Sequence, residues 1–148
     1  MKKNIILLVE DDELDVIGVR RSLKKLDIPY ELYTAFNGSE ALQLLRDDPE
    51  KPAMGALPDI ILLDLNMPRM NGLEFLKALR ADERLKDIRV YVMTTSNEES
   101  DRSATDRLGV SGYLIKPMGY DSGYNRVDSM EHFVQFHLRN ILAGRGET

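Results

Sequence analysis

The chain has no cysteine, no tryptophan, only two histidines and no long apolar run. Without cysteine there is no disulfide framework and no thiolate metal site, which fits a reducing compartment. The opening MKKNIILLVEDD starts like an export signal with Lys2 and Lys3, but its apolar run of five residues ends in acids. An export signal needs roughly 7 to 15 apolar residues. No window approaches the ~18 apolar residues of a membrane helix. Basic clustering is missing as well: the net charge is −5, with no basic run and no interleaving of aromatic and basic residues. That argues against nucleic acid as the main ligand. The expectation is a cytoplasmic protein with neither a membrane nor a nucleic-acid partner. What is present, 43% hydrophobic and 30% charged residues over 148 positions, suits one globular domain with an ordinary core.

Short apolar runs alternate with segments of helical period, the pattern of a parallel sheet covered by helices on both faces. The runs NIILLV, YELYTA, IILLDL, VYVMTT and GYLI read as five strands. The first and third are nearly continuous Ile, Leu and Val, as central strands buried on both faces require. Val16, Val19, Leu23 and Leu26 recur at spacings of three, four and three and predict a first helix. Shorter periodic pieces follow around Ala41 to Leu45, Leu73 to Leu79 and Ser103 to Leu108, and a last helix is expected over Ser129 to Leu142. The connections DDPEKPAMGALP and MGYDSGYNRVD are rich in Gly, Pro and Asp and read as loops. No repeat or interdomain linker is evident, so residues 1–148 read as one domain with its core over about 4–142.

From Glu10 to Asp15 five of six positions are acidic. Two carboxylates roughly 4 Å apart repel by on the order of 4 kcal/mol at an effective dielectric of about 20. Such crowding is either a solvated turn or a place where a cation offsets the repulsion. In an open parallel sheet, ligands bind at the carboxyl ends of the strands, where the winding direction switches. Glu10 and Asp11 end the first strand and Asp64 lies near the end of the third, and the order 2-1-3-4-5 makes those strands neighbours. Clustered carboxylates suit a hard divalent cation such as Mg2+, which also accepts a phosphate oxygen as ligand. Lys116, after the fifth strand in YLIKP, offers an ammonium to a phosphoryl oxygen. Thr94, closing the fourth strand in VYVMTT, offers a hydroxyl. Asp64 between them could attack phosphorus once positive charge offsets repulsion. Singly, each of these is an ordinary turn or strand residue; the argument rests on their joint position at successive strand ends.

The ordered stretches ILLVEDDE, DIILLDLNMPRMNGLEFL, VYVMTTS and GVSGYLIKP together resemble a response-regulator receiver domain of two-component phosphorelays, over nearly the whole chain. The resemblance implies a flavodoxin-like (βα)5 doubly wound parallel sheet of order 2-1-3-4-5. It makes Asp64 the phosphoacceptor, with Mg2+, or Mn2+ in its place, held by Glu10, Asp11, Asp64 and the main-chain carbonyl of Asn66. A one-residue slip in VEDD would favour Asp11 and Asp12 instead. Thr94 becomes the switching hydroxyl, Lys116 the phosphate-sensing cation and Tyr113 the switch aromatic, although a strand aromatic packed on the adjacent helix has the same sequence signature. The Lys116–Pro117 bond is expected to be cis, an isomer that proline makes accessible at about 0.5–1 kcal/mol. Gly72 reads as a backbone-permissive turn residue before the third helix. The implied partner is a sensor histidine kinase.

Thr95 stands where many relatives carry Ala, adding bulk where Tyr113 must enter. The 47–58 insertion joins a helix to a strand start and so belongs on the face opposite the site. With TTS and LDLNMPRMNG, it is similar to the stand-alone regulators of bacterial phytochromes. The 118–128 loop, with Tyr120 and Tyr124, leaves the sheet on the site face. His132 and His137 both fall in the last helix, and His137 shares a face with Met130, Phe133, Val134 and Ile141, which reads as packing. Phe133, Val134, Phe136, Leu138, Ile141 and Leu142 spread around that helix, pointing to a homodimer or kinase contact through the fourth helix, fifth strand and last helix. Two rival readings differ by single features. A haloacid-dehalogenase-like phosphohydrolase wants a second acid two residues after the nucleophile, where this chain has Asn66. A flavodoxin-like nucleotide binder wants a phosphate loop after the first strand, where EDDELD would repel phosphate.

Overall fold

The structure, a computed structural model, describes residues 4–24, 28–46, 57–65, 67, 70–94, 99–115 and 138, with backbone alone for 94, 99–102 and 113–115. Five strands, β1 Asn4–Val9, β2 Tyr30–Ala35, β3 Ile60–Asp64, β4 Arg89–Thr94 and β5 Gly112–Ile115, alternate with helices α1 Glu13–Leu23, α2 Gly38–Leu45, α3 Gly72–Ala81 and α4 Glu99–Asp106. All four strand pairings are parallel, in the order β2-β1-β3-β4-β5. This is the expected flavodoxin-like order. Three strand runs match the expected limits residue for residue. β3 stops one residue early at Asp64, and β4 is shifted by one. α4 starts four residues before its apolar period, because its first half, Glu99 to Arg102, is polar and gives no periodic signal.

The period-two alternation of each strand divides the core. Ile5, Leu7, Val9, Ile61, Leu63, Val90 and Val92 face α2 and α3, meeting Leu42, Phe75, Leu76 and Leu79. Ile6, Leu8, Ile60, Leu62 and Met93 face α1 through Val16, Val19 and Leu23, and Leu138 joins this layer. Every residue of β1 and β3 is buried, whereas the edge strand β2 is half-exposed over its first five residues. Burying one such Leu, Ile or Val side chain contributes about 1.5–3 kcal/mol. Of the expected first-helix stripe, Leu26 lies outside the described residues, as does the last helix apart from Leu138.

Caps set the helix starts. Asp12 accepts from the Leu14 and Asp15 amides to start α1, and Asn37 accepts from Glu40 N to start α2. Asn71 and Glu74 form a reciprocal capping box at α3, which satisfies two otherwise unpaired donors. At the opposite end of the molecule one side chain joins two loops. The Arg80 guanidinium donates to the carbonyls of Lys86 (2.7 Å), Ile88 (2.9 Å), Leu108 (2.7 Å) and Gly109 (3.1 Å). Partial burial lowers its pKa from the ordinary value, and nearby Asp87 opposes that shift. Among the described residues no helix is long and apolar enough to cross a membrane.

Candidate functional site

Register builds the site. Val9 pairs with Leu63, so the next step along both strands sets Glu10 level with Asp64. Alternation then sends both side chains to the face occupied by Leu8 and Leu62. Glu10 N also donates to Ala35 O at 2.9 Å, so the last turn of β1 stays tied to β2. The carboxylate oxygens of Glu10, Asp11 and Asp64 lie within 4.8 Å of one another. Glu10 is 0% and Asp64 2% exposed, while Asp11 opens to solvent. Withdrawing two anions from water beside a third is unfavourable unless a cation compensates. A set of three hard oxygen donors, one of them accessible, fits a divalent ion that keeps part of its water shell, as Mg2+ and Mn2+ do.

Asp12 is used differently. Its Oδ1 accepts from Leu14 N at 2.8 Å and from Asp15 N at 3.4 Å, and its own amide donates to Glu10 Oε2 at 3.2 Å. The side chain therefore belongs to the helix start, and the close carboxylate group consists of Glu10, Asp11 and Asp64.

The segment behind Asp64 is pinned from two sides. Gly72 N donates to Leu65 O and Gly38 N to Met70 O, each at 3.1 Å. Gly72 corrects an expectation. It is the first residue of α3, and Gly109 is the positive-φ glycine among the described residues. Gly72 is required for space instead: a Cβ there would sit 2.5 Å from Asp64 O and 2.6 Å from Leu65 Cα. The helix start thus rests directly on the backbone of the aspartate.

On the neighbouring strands, Met93 pairs with Asp64, and Thr94, closing β4, pairs with Ile115 at the end of β5. Tyr113 lies in β5 opposite Val92. Asn66, Thr95, Lys116 and Pro117 lie outside the described residues, as do 47–56 and 118–128. A feature without a counterpart among the expected site residues is apolar. Leu14 is 77%, Ile17 49% and Phe36 46% exposed. Leu14 and Phe36 belong to the loops and helix starts at the carboxyl ends of β1 and β2. The helical spacing carried the signal, because Leu14 and Ile17 fall off the stripe of Val16, Val19 and Leu23.

A parallel sheet wound on both faces, with an acidic group at the carboxyl ends of its two central strands, defines a receiver-type domain. The chain belongs to the response regulator receiver domain family, whose model matches residues 6–128. It is 36% identical over 129 residues to the response regulator Rcp1 of Synechocystis sp., covering 87% of each chain. Among solved structures it is similar to the phosphorylated cyanobacterial phytochrome response regulator RcpA, with a TM-score of 0.76 and 31% identity over 99% of this chain and 96% of that one. The Mn2+-bound form of Rcp1 is similar at a TM-score of 0.74 and 33% identity, covering 98% of this chain and 96% of that one.

Proposed function

We propose that the chain is a phosphoacceptor that takes a phosphoryl group onto Asp64 from the phosphohistidine of a sensor kinase and passes the signal on by protein binding. The observation that carries this reading is the convergence of Glu10, Asp11 and Asp64 within 4.8 Å, two of them buried. Glu10, Asp11, Asp64 and the Asn66 carbonyl would hold Mg2+, with Mn2+ as a substitute, and such an ion would supply positive charge to phosphoryl oxygens that the carboxylates otherwise repel. One Asp64 carboxylate oxygen attacks phosphorus in line. The P–N bond to the kinase histidine breaks as the P–O bond forms, and the imidazole leaves with the bonding electron pair. Thr94 donates its hydroxyl to the new phosphoryl group, and the Lys116 ammonium pairs with it. Thr94 closes β4 and Lys116 follows β5 in the chain, so the change is passed to the surface of α4, β5 and the last helix expected over Ser129 to Leu142, with Tyr113 at its edge. That surface serves a homodimer or a downstream partner. The protein catalyses its own modification and is otherwise a cytoplasmic binding protein.

The similarity to RcpA and Rcp1 supports a phytochrome-type sensor kinase as partner. Leu14, Ile17 and Phe36 supply an apolar rim beside the acidic group, suited to an amphipathic kinase helix presenting its histidine. Burying one Leu or Ile is worth about 1.5–3 kcal/mol. The double variant Leu14→Ser, Ile17→Ser should therefore slow transfer from a phosphorylated kinase by about tenfold or more. Transfer from acetyl phosphate, which needs no docking, should stay unchanged. Equal slowing with both donors, or with neither, would remove the rim from the account.

A further inference from the structure

The end of the sheet away from the acidic group carries a groove of roughly 450 Å3, whose lining includes Arg80, Lys86, Asp87, Arg89 and Arg107. Arg89 begins β4, and Ser111, also on the lining, precedes β5, so the groove opens at the amino ends of the strands, where the proposed phosphotransfer places nothing. Four cations meet there against the single carboxylate of Asp87, in a chain whose 25 acids outnumber its 20 lysines and arginines. The cations come from separate segments: the last turn of α3, the loop before β4, the start of β4 and the loop after α4. Like charges gathered from several segments repel one another, and an anionic ligand would relieve that repulsion.

The backbone around the groove has also been made compatible with an anion. Main-chain carbonyl oxygens in the loops after α3 and α4 carry partial negative charge and would ordinarily repel an anion. Here Arg80 draws the carbonyls of Lys86, Ile88, Leu108 and Gly109 onto its guanidinium. The same bonds fix both walls in place before any ligand arrives. Gly109, at φ 71°, turns the second wall. With Arg80 committed to the walls, Arg89 and Arg107 make no ion pair among the described residues. Lys86 reaches Glu83 at 3.2 Å, a partner 89% exposed and readily exchanged. The volume lies within the range of small-molecule sites.

We propose that this groove binds a diphosphate-bearing small molecule, with Arg89, Arg107 and Lys86 on the phosphates and Ile88 and Leu108 beside the rest of the ligand. The inference is independent of phosphorylation at Asp64.

The test is an amide NMR titration of the full chain with ADP and, separately, with inorganic pyrophosphate. EDTA keeps metal-bridged binding at the acidic group out of the measurement, and low salt keeps exposed ion pairs from being screened. Saturable shifts are expected at Arg89, Leu108, Gly109 and Ser111, weakening as salt rises. Arg89→Ala and Arg107→Ala should each reduce affinity by about threefold or more, on the scale of an exposed ion pair, and Asp87→Asn should increase it. All three positions are exposed, so the unfolding midpoint serves as a folding control. Tighter binding of ADP assigns the site to a nucleotide; equal binding assigns it to the diphosphate group itself. Absence of saturable shifts, shifts centred on Glu10 to Asp12 and Asp64, or affinity indifferent to all three substitutions would mean an adventitious ion only and overturn the proposal.

Discussion

Replacing Gly72 by Ala puts one methyl group against the backbone that carries the nucleophile. The new Cβ would stand 2.5 Å from Asp64 O, and an ordinary contact begins near 3.4 Å, so about 0.9 Å of movement is required. β3 is paired on both sides and buried throughout, which makes the start of α3 the part that yields. Lifting it strains the 3.1 Å bond from Gly72 N to Leu65 O and the capping box of Asn71 and Glu74. Overpacking of this kind costs about 1–3 kcal/mol. The better helix propensity of Ala returns less than ~1 kcal/mol, and least at a first helical position. A net loss of about 1–2 kcal/mol follows, read as a lower urea midpoint. Residual displacement of Asp64 should slow phosphorylation by acetyl phosphate about tenfold, since misplacement by ~1 Å can cost on the order of 100-fold. Gly18 is the control: it lies inside α1, and a methyl group added there would meet nothing within 4 Å, so Gly18→Ala should stabilise by about 0.5–1 kcal/mol. Unchanged stability and rate in Gly72→Ala, or an equal loss in Gly18→Ala, would refute the close-approach argument.

Asp11→Asn should weaken Mg2+ binding by about tenfold or more, about 1.4 kcal/mol. Asp12→Ala should instead lose the α1 cap, about 1 kcal/mol of stability, with metal affinity nearly unchanged; calorimetric titration beside denaturation separates the two. Arg80→Ala removes four charge-assisted bonds. Allowing for their partial exposure, it should destabilise by about 2–4 kcal/mol. Hydrogen exchange should rise in both loops, and Arg80→Lys, lacking the planar fork, should recover less than half of the loss. Burial raises the Tyr91 pKa, opposed by Arg89. The stability this tyrosine contributes is thus fully present below the ordinary tyrosine pKa and is lost as pH rises from there through the raised folded value. An ultraviolet titration of Tyr91→Phe should lose one late-ionising group and keep that of Tyr33, whose hydrogen bond to Glu31 also raises its pKa.

The strands were readable because β1 and β3 are buried on both faces and leave unbroken apolar runs, and because carboxylates at their ends have no packing purpose. Glu10 and Asp64 could be paired as soon as the strand order was known. Asp12 was harder: four consecutive acids look alike in sequence, and the helix start alone separates a cap from the close carboxylate group. Gly72 was recognisable as a needed glycine, but its reason, contact with Asp64 O, is a tertiary distance without a local signature. Arg80 gave no signal at all, since its partners are main-chain carbonyls in remote loops.

Location of the phosphoryl group tests the central claim most directly. The wild-type chain and Asp64→Asn are incubated with acetyl phosphate, with Mg2+ or with EDTA, and modification is followed by intact mass and mapped by fragmentation after borohydride reduction of the acyl phosphate. The account predicts one phosphoryl group on Asp64, dependent on the metal and absent from Asp64→Asn. Modification at another residue, persistence in Asp64→Asn, or an undiminished rate in EDTA would contradict it.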